Sequence, residues 1–235
     1  MPARVSLILG ASASGKSRSV KNLPPKMTFV VNVVGKDLPF KGSESLYPIC
    51  KITKDAEKNI LNVEGNVLVS KNTGYIRKVL KWVSNNRPEI KFIIIDDNQY
   101  ISLFTYTKRI DEKDWAKYNT IAVNMVDLVE DLKELRPNLQ IYILQHIETG
   151  EDANGDAQIQ AKTMGKFVKE KVTYEGLFTM VLLADKEDGD EGVVNHFFWT
   201  RKSKSTVKSP EDMFKEQKIP NDLLIVAKAV REYYS

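Results

Sequence analysis

Near the start of the chain, GASASGKS places Gly10 five residues ahead of Gly15, with Lys16 and Ser17 directly behind. Glycine at these two points lets the backbone bend closely around an anion. The N–H groups of Ala11, Ser12, Ala13, Ser14 and their neighbours can then point inward at it. Lys16 supplies an ammonium that reaches the outer two phosphates of a nucleoside triphosphate, and Ser17 a hydroxyl for Mg²⁺. Gly10–Ser17 therefore predicts a phosphate cradle, with Lys16 also acting on the reacting phosphate.

A cradle needs acidic groups to organise the metal. The stretch KFIIIDDNQY brings Asp96 and Asp97 to the end of an apolar run. Ligands of open α/β sheets gather at the carboxyl ends of strands. Asp96 is assigned to Mg²⁺, through Ser17 or a water, and Asp97 to polarising the water that attacks the γ-phosphate. An aspartate is short for that task, and a turn or helix N-cap is the competing role for Asp97. IYILQH is a further apolar run with a polar end. If its strand lies between the strands bearing the cradle and the acidic pair, Gln145 is the candidate γ-phosphate sensor, with His146 second. A structural histidine is the competing role for His146.

These groups must be positioned by a sheet. Val5–Leu9, Thr28–Val34, Val67–Ser70, Phe92–Ile95 and Ile141–Leu144 are apolar or β-branched runs with the lengths of buried parallel strands. A short helix is predicted from Gly15 or Lys16, stopped before Pro24-Pro25. Residues 73–85 and 114–135 carry amphipathic helical stripes, the second ending near Pro137. Asp37–Tyr47 reads as a loop, Thr149–Gln158 as a mobile loop, and 165–175 as a helix. Phe178–Ala184 and Val193–Thr200 predict an antiparallel strand pair, followed by a helix over 221–234. Alternating strands and helices argue for an α/β fold with a mainly parallel sheet. The expected organisation is a single domain over 1–235, with a nucleotide-binding core at 1–150 and C-terminal strands and helix at 151–235 completing the sheet.

The 235 residues include one cysteine, Cys50, which excludes an intramolecular disulfide, and two histidines without zinc-ligand spacing. No apolar run approaches the roughly 18 residues of a membrane span, and a cytoplasmic location is expected. The net charge is +4. Lysines gather at Lys162, Lys166, Lys169 and Lys171, and basic residues again at Arg201, Lys202, Lys204 and Lys208. Either group reads as a solvated face or as a contact for nucleic-acid phosphates.

The chain resembles the small phage-encoded nucleotide-binding proteins of the RecA-like/AAA type, some of them grouped with Sak-type single-strand annealing recombinases. GASASGKS and FIIIDD are general to P-loop ATPases. The more specific likeness lies in GKDLPFKG at 35–42, TVKSPEDMF at 206–214 and IPNDL at 219–223. The resemblance implies a RecA-like core binding ATP and Mg²⁺ between subunits of a homo-oligomer, acting on phage DNA with single-stranded DNA and a single-strand-binding protein as partners. Two features depart from RecA itself. The cradle strand starts at about residue 4, so RecA's N-terminal polymerising helix is not expected and any oligomer is expected to form another way. The loop after Gln145, TGEDANGDAQ, is acidic where a DNA-contacting loop belongs. The resemblance also suggests Lys208, in TVKSP, as a group reaching a neighbouring subunit's γ-phosphate. An ATPase in recombination or replication is the leading expectation. A nucleotide or small-molecule kinase is the alternative; such kinases usually carry a basic lid, for which the run at 201–208 could be mistaken. A non-hydrolysing ATP-dependent assembly module is the third.

Overall fold

The computed structural model describes residues 2–111, 116–152, 154–163 and 173–235. Its centre is a sheet of strands β1 (Arg4–Gly10), β2 (Thr28–Asn32), β5 (Val67–Val69), β6 (Phe92–Asp96), β7 (Gln140–Glu151), β8 (Ala157–Ala161), β9 (Val181–Asp188), β10 (Val194–Trp199) and β11 (Lys218–Pro220). The order across it is β11-β10-β9-β1-β7-β6-β2-β5, with β8 paired to β7. From β9 through β5 the neighbours run parallel. At the other side β9, β10 and β11 pair antiparallel. The C-terminal strands thus extend the same sheet that carries β1.

The strands are apolar without alternation because both faces are covered. Leu7, Leu9, Phe29, Val31, Ile93, Ile95, Ile141 and Ile143 face one cluster, under α2 (Thr73–Asn86) and α4 (Ala116–Lys133). Ile8, Val30, Ile94, Tyr142, Leu144 and Leu182 face the other, under Val20 and Leu23 and under the closing helix α5 (Leu223–Tyr233). This odd–even division follows from the two-residue period of a strand, and it decides which side chains reach the site below.

Helix starts follow capping chemistry. The Asn72 side chain accepts a hydrogen bond from Tyr75 N and caps α2. Asp222 Oδ1 accepts from Leu224 N at 2.8 Å and caps α5, while its Oδ2 accepts from Asn22 Nδ2 at 2.8 Å. IPNDL therefore fastens α5 to the segment behind the cradle. Asp222→Ala is expected to cost about 1 kcal/mol of stability, read as a lowered denaturation midpoint at unchanged slope.

Several elements differ from expectation. The segment after the cradle is a 3-10 helix, Ser17–Asn22, ending before Pro24 as predicted. The 37–47 stretch contains one helical turn, α1 (Ser43–Leu46). A surface hairpin, β3 (Lys51–Lys54) with β4 (Ile60–Glu64), and the helix α3 (Gln99–Lys108) were not anticipated. Residues 149–158 are not an open loop: β7 continues to Glu151 and pairs antiparallel with β8. Asp152 Oδ1 accepts from the N–H groups of Asn154 and Asp156 and closes that turn. The 165–175 helix lies almost wholly outside the described residues; Tyr174–Leu177 is a 3-10 turn.

The two outer strands are short. β5 has its outward side covered by Pro48–Cys50, whose Pro48 carbonyl accepts from Asn66 N and Val67 N while Cys50 N donates to Val67 O. β11 has three residues and ends in Pro220.

Candidate functional site

The carboxyl ends of β1, β2, β6 and β7 meet in one pocket. It is lined by Ser12 to Arg18, Lys36, Asp37, Pro39, Asp96, Asp97, His146 and His196. The strand period explains the membership. Gly10, Asn32, Asp96 and His146 have the parity of Ile8, Val30, Ile94 and Leu144, and so fall on the face of the segment behind the cradle.

The cradle is shaped by its backbone. Ala13 has φ 59° and Gly15 φ 98°. A Cβ at Gly10 would lie 2.3 Å from Ser14 Oγ and 2.8 Å from the Ala184 carbonyl, so only glycine fits there. Gly15 is hemmed in by His196 and Asn221, and His196 Nδ1 lies 3.1 Å from Ser14 O. Ser14 Oγ is buried without a partner, an unmet polar group of the sort a ligand oxygen satisfies.

Lys16 is buried, and its Nζ donates to the carbonyls of Gly10 and Ala11 at 2.8 Å each. Burial holds its ammonium down to about 8, against the opposing pull of Asp96 and Asp97. A bound polyphosphate stabilises the charged form and raises that value. The Lys16 contribution to affinity should therefore be full below about 8 and decline as pH rises beyond it. At about pH 9 ATP binding should take up a proton. Calorimetry in two buffers of different ionisation enthalpy measures this; buffer-independent heats there would refute it.

Ser17 Oγ donates to Asp96 Oδ1 at 2.9 Å. Asp96 is buried, and its carboxyl is pushed up to about 6 by that burial first and by the Asp97 charge second. A hydroxyl and a carboxylate beside a phosphate cradle suit Mg²⁺, which takes few protein oxygens and completes its shell with phosphates and water. Among the described residues no group of three or more His, Cys, Asp or Glu forms a separate metal site.

Asp97 does not cap α3; the N-cap position is Asn98. Its backbone is left-handed, φ 60°, a conformation costly for a side chain other than glycine's, though least so for Asp and Asn. Lys36 Nζ lies 3.3 Å from Asp97 Oδ2, and His146 Nε2 3.4 Å from Oδ1. Gln99 Nε2 donates to Oδ1 at 3.2 Å and Gln99 Oε1 accepts from His146 N. Burial works to raise the Asp97 pKa, but the contacts with His146, Lys36 and Gln99 win and hold it down to about 2.

Gln145 corrects the expectation made for it. β7 does lie between β1 and β6. The Gln145 side chain, however, has the parity of Ile141 and Ile143 and points to the opposite layer. It is fully buried, accepting from Asn98 Nδ2 at 2.7 Å and donating to the Lys162 carbonyl at 2.8 Å. His146 is the residue of this strand that lines the pocket.

Lys208 is exposed, and its backbone exchanges hydrogen bonds with Val181. Val181 pairs in register with Leu7, three residues before Gly10. Lys208 therefore does not line its own chain's pocket, and neither do Arg201, Lys202 or Lys204. Lys202 instead sits over the Trp199 ring and near Asp185. Lys162 is exposed beside the β7–β8 hairpin; Lys166, Lys169 and Lys171 lie outside the described residues. Lys36, Asp37, Arg18 and His196 were not picked out from sequence. GKD sits at the carboxyl end of β2, so the rule that selected Asp96 would have found Lys36 and Asp37. Nothing local marks His196, which arrives from β10.

No described protein family matches the chain, and no curated protein sequence matches it. Among solved structures it is similar to a KaiC-like protein from the hyperthermophilic archaeon Pyrococcus horikoshii OT3. The TM-score is 0.53 at 13% identity, over 93% of this chain and 85% of that one. The likeness carries the fold. The chain has an α/β, RecA-like fold, a mainly parallel sheet flanked by helices with an antiparallel strand pair at one side.

Proposed function

We propose that the protein binds ATP with Mg²⁺ and hydrolyses it. The observation that carries this reading is the convergence in one pocket of the Gly10–Ser17 cradle, buried Lys16, the Ser17–Asp96 contact and Asp97. Cradle amides and Lys16 bind and orient the polyphosphate. Ser17 and Asp96 would hold the metal, which would supply charge neutralisation at the phosphates. Asp97, fixed by its left-handed backbone, accepts hydrogen bonds from the attacking water, and Asp37 is a second carboxylate on the pocket wall. His146, beside Asp97, takes the sensing role first given to Gln145. A homo-oligomer, Lys208 acting on a neighbour's nucleotide, and a role in phage DNA recombination or replication with single-stranded DNA and its binding protein rest on the family resemblance alone. Among the described residues no helix is long and apolar enough to cross a membrane; the cytoplasmic site of action is proposed from the sequence.

The kinase reading needs a basic lid over the pocket, and 201–208 does not line it. Phosphate release from Mg²⁺-ATP, measured alone, with single-stranded DNA and with nucleosides and nucleotides as acceptors, tests the proposal. Release without acceptor supports it. Transfer to an acceptor selects the kinase, binding without release selects the assembly module, and turnover indifferent to DNA removes the recombination role.

A further inference from the structure

Lys36 is a charged group of the pocket to which none of the roles above gives work. It enters from beyond β2, the neighbour of the strand that carries Asp96 and Asp97, and its position is built. Asn32, at the end of β2, pairs in register with Asp96 on β6. The Asn32 side chain accepts from Gly35 N at 2.7 Å and donates to the Lys36 carbonyl at 2.5 Å. Gly35 turns the chain at φ +83°, a region that favours glycine. The backbone of Lys36 is thereby pinned beside Asp97, and its ammonium, besides meeting Asp97, lies 5.5 Å from the centroid of the Tyr100 ring.

The partners of the ion pair are unequal. The Lys36 side chain is 65% exposed and that of Asp97 13%. A largely solvated ammonium gains little from one carboxylate. The γ-phosphate of a triphosphate offers more charge and more acceptor oxygens. Its place is bounded by Lys16, Ser17 and the Asp96–Asp97 end of the pocket, and Lys36 is near enough to Lys16 for their charges to interact.

We propose that Lys36 is a γ-phosphate contact supplied by the chain itself, and that its ion pair with Asp97 belongs to the site lacking a γ-phosphate. A triphosphate draws the ammonium away. Asp97 then keeps His146 and Gln99 but loses its lysine, and its Oδ2 becomes free to accept a hydrogen bond from water. A diphosphate leaves the pair intact. The water-polarising carboxylate is thus uncovered only when there is a phosphate to be attacked. This inference rests on the nucleotide reading above and adds to it a means of telling ATP from ADP.

The test is equilibrium binding of ATP and of ADP, by displacement of a fluorescent nucleotide, with Mg²⁺ and again with a chelator. Lys36→Ala is expected to weaken ATP about tenfold and leave ADP within about twofold, which also shows that the variant folds with its cradle intact. Lys36→Arg should restore most of the preference for ATP. Equal weakening of both nucleotides, or of neither, overturns the inference while wild-type binding leaves the nucleotide reading standing. A wild-type protein that binds neither nucleotide overturns both.

Discussion

Lys16→Ala is expected to weaken ATP by at least about 100-fold and to remove phosphate release. The ammonium sits behind the cradle, anchored on the carbonyls of Gly10 and Ala11. It lies in a setting that excludes most water, where a charge-assisted hydrogen bond has more than its solution strength. Two such bonds to phosphate oxygens account for a loss of this size, since each tenfold is about 1.4 kcal/mol. Alanine leaves the backbone free to hold its shape. Retained affinity in a folded Lys16→Ala protein would move the pocket elsewhere and take with it the roles given to Ser17, Asp96 and Asp97. Circular dichroism and the denaturation midpoint supply the folding control.

Asp96→Asn should move function and stability in opposite directions. Asparagine keeps an oxygen to accept from Ser17 but loses the charge proposed to hold Mg²⁺, and turnover should fall at least about 100-fold. The folded carboxyl is raised from 3.8 to about 6, by burial first and by Asp97 second, over the opposing Ser17 and Lys16 contacts. A carboxylate raised in the folded state penalises folding above its folded pKa. That penalty fades as pH falls from about 6 toward the unfolded value of 3.8. At neutral pH the metal-free variant should accordingly be more stable than wild type, by up to about 3 kcal/mol. The gain should vanish near pH 4. Urea denaturation at both pH values in the presence of a chelator measures this. A variant less stable than wild type at neutral pH would mean that the buried charge is better solvated than its surroundings indicate.

Most of the cradle and its sheet could be read from the chain because each part has its own local cause. Val5–Leu9 and Phe92–Ile95 are continuous apolar runs, as strands covered on both faces must be, and the glycines of GASASGKS mark positions where a side chain cannot stand. The stripes in α2 and α4 are amphipathic for the same reason that they pack. The hairpins β3–β4 and β7–β8 were hidden because much of their surface is wet and their residues are polar. Their pairing is set by turn hydrogen bonds such as those of Asp55 to Asn59 and of Asp152 to Asn154 and Asp156. α3 was hidden because QYISLFTYTK is aromatic and β-branched, without a helical stripe.

Within the site, Gln145 and His146 show where residue type misleads. Gln145 was placed first, but counting in twos from Ile141 sends its side chain away from the cradle, to Asn98 and the Lys162 carbonyl. The same count from Tyr142 sends His146 toward the cradle. Lys36 was missed for another reason. The strand-end rule would have flagged GKD, but not its partner: that Lys36 stands beside Asp97 depends on Asn32 and Gly35 bending the chain after β2, and on β2 lying next to β6, a neighbour relation that no short segment contains.

The two margins of the sheet bear on how copies of this chain could join. Pro48–Cys50 already occupies the flank of β5, and β11 is brief and ends in a residue with no amide hydrogen to share. Among the described residues neither margin offers a strand from another molecule a long ladder to extend. Subunits of a ring or filament would then meet through side chains and not through a common backbone lattice, and such a seam can loosen and reseat with every turnover where a welded sheet could not.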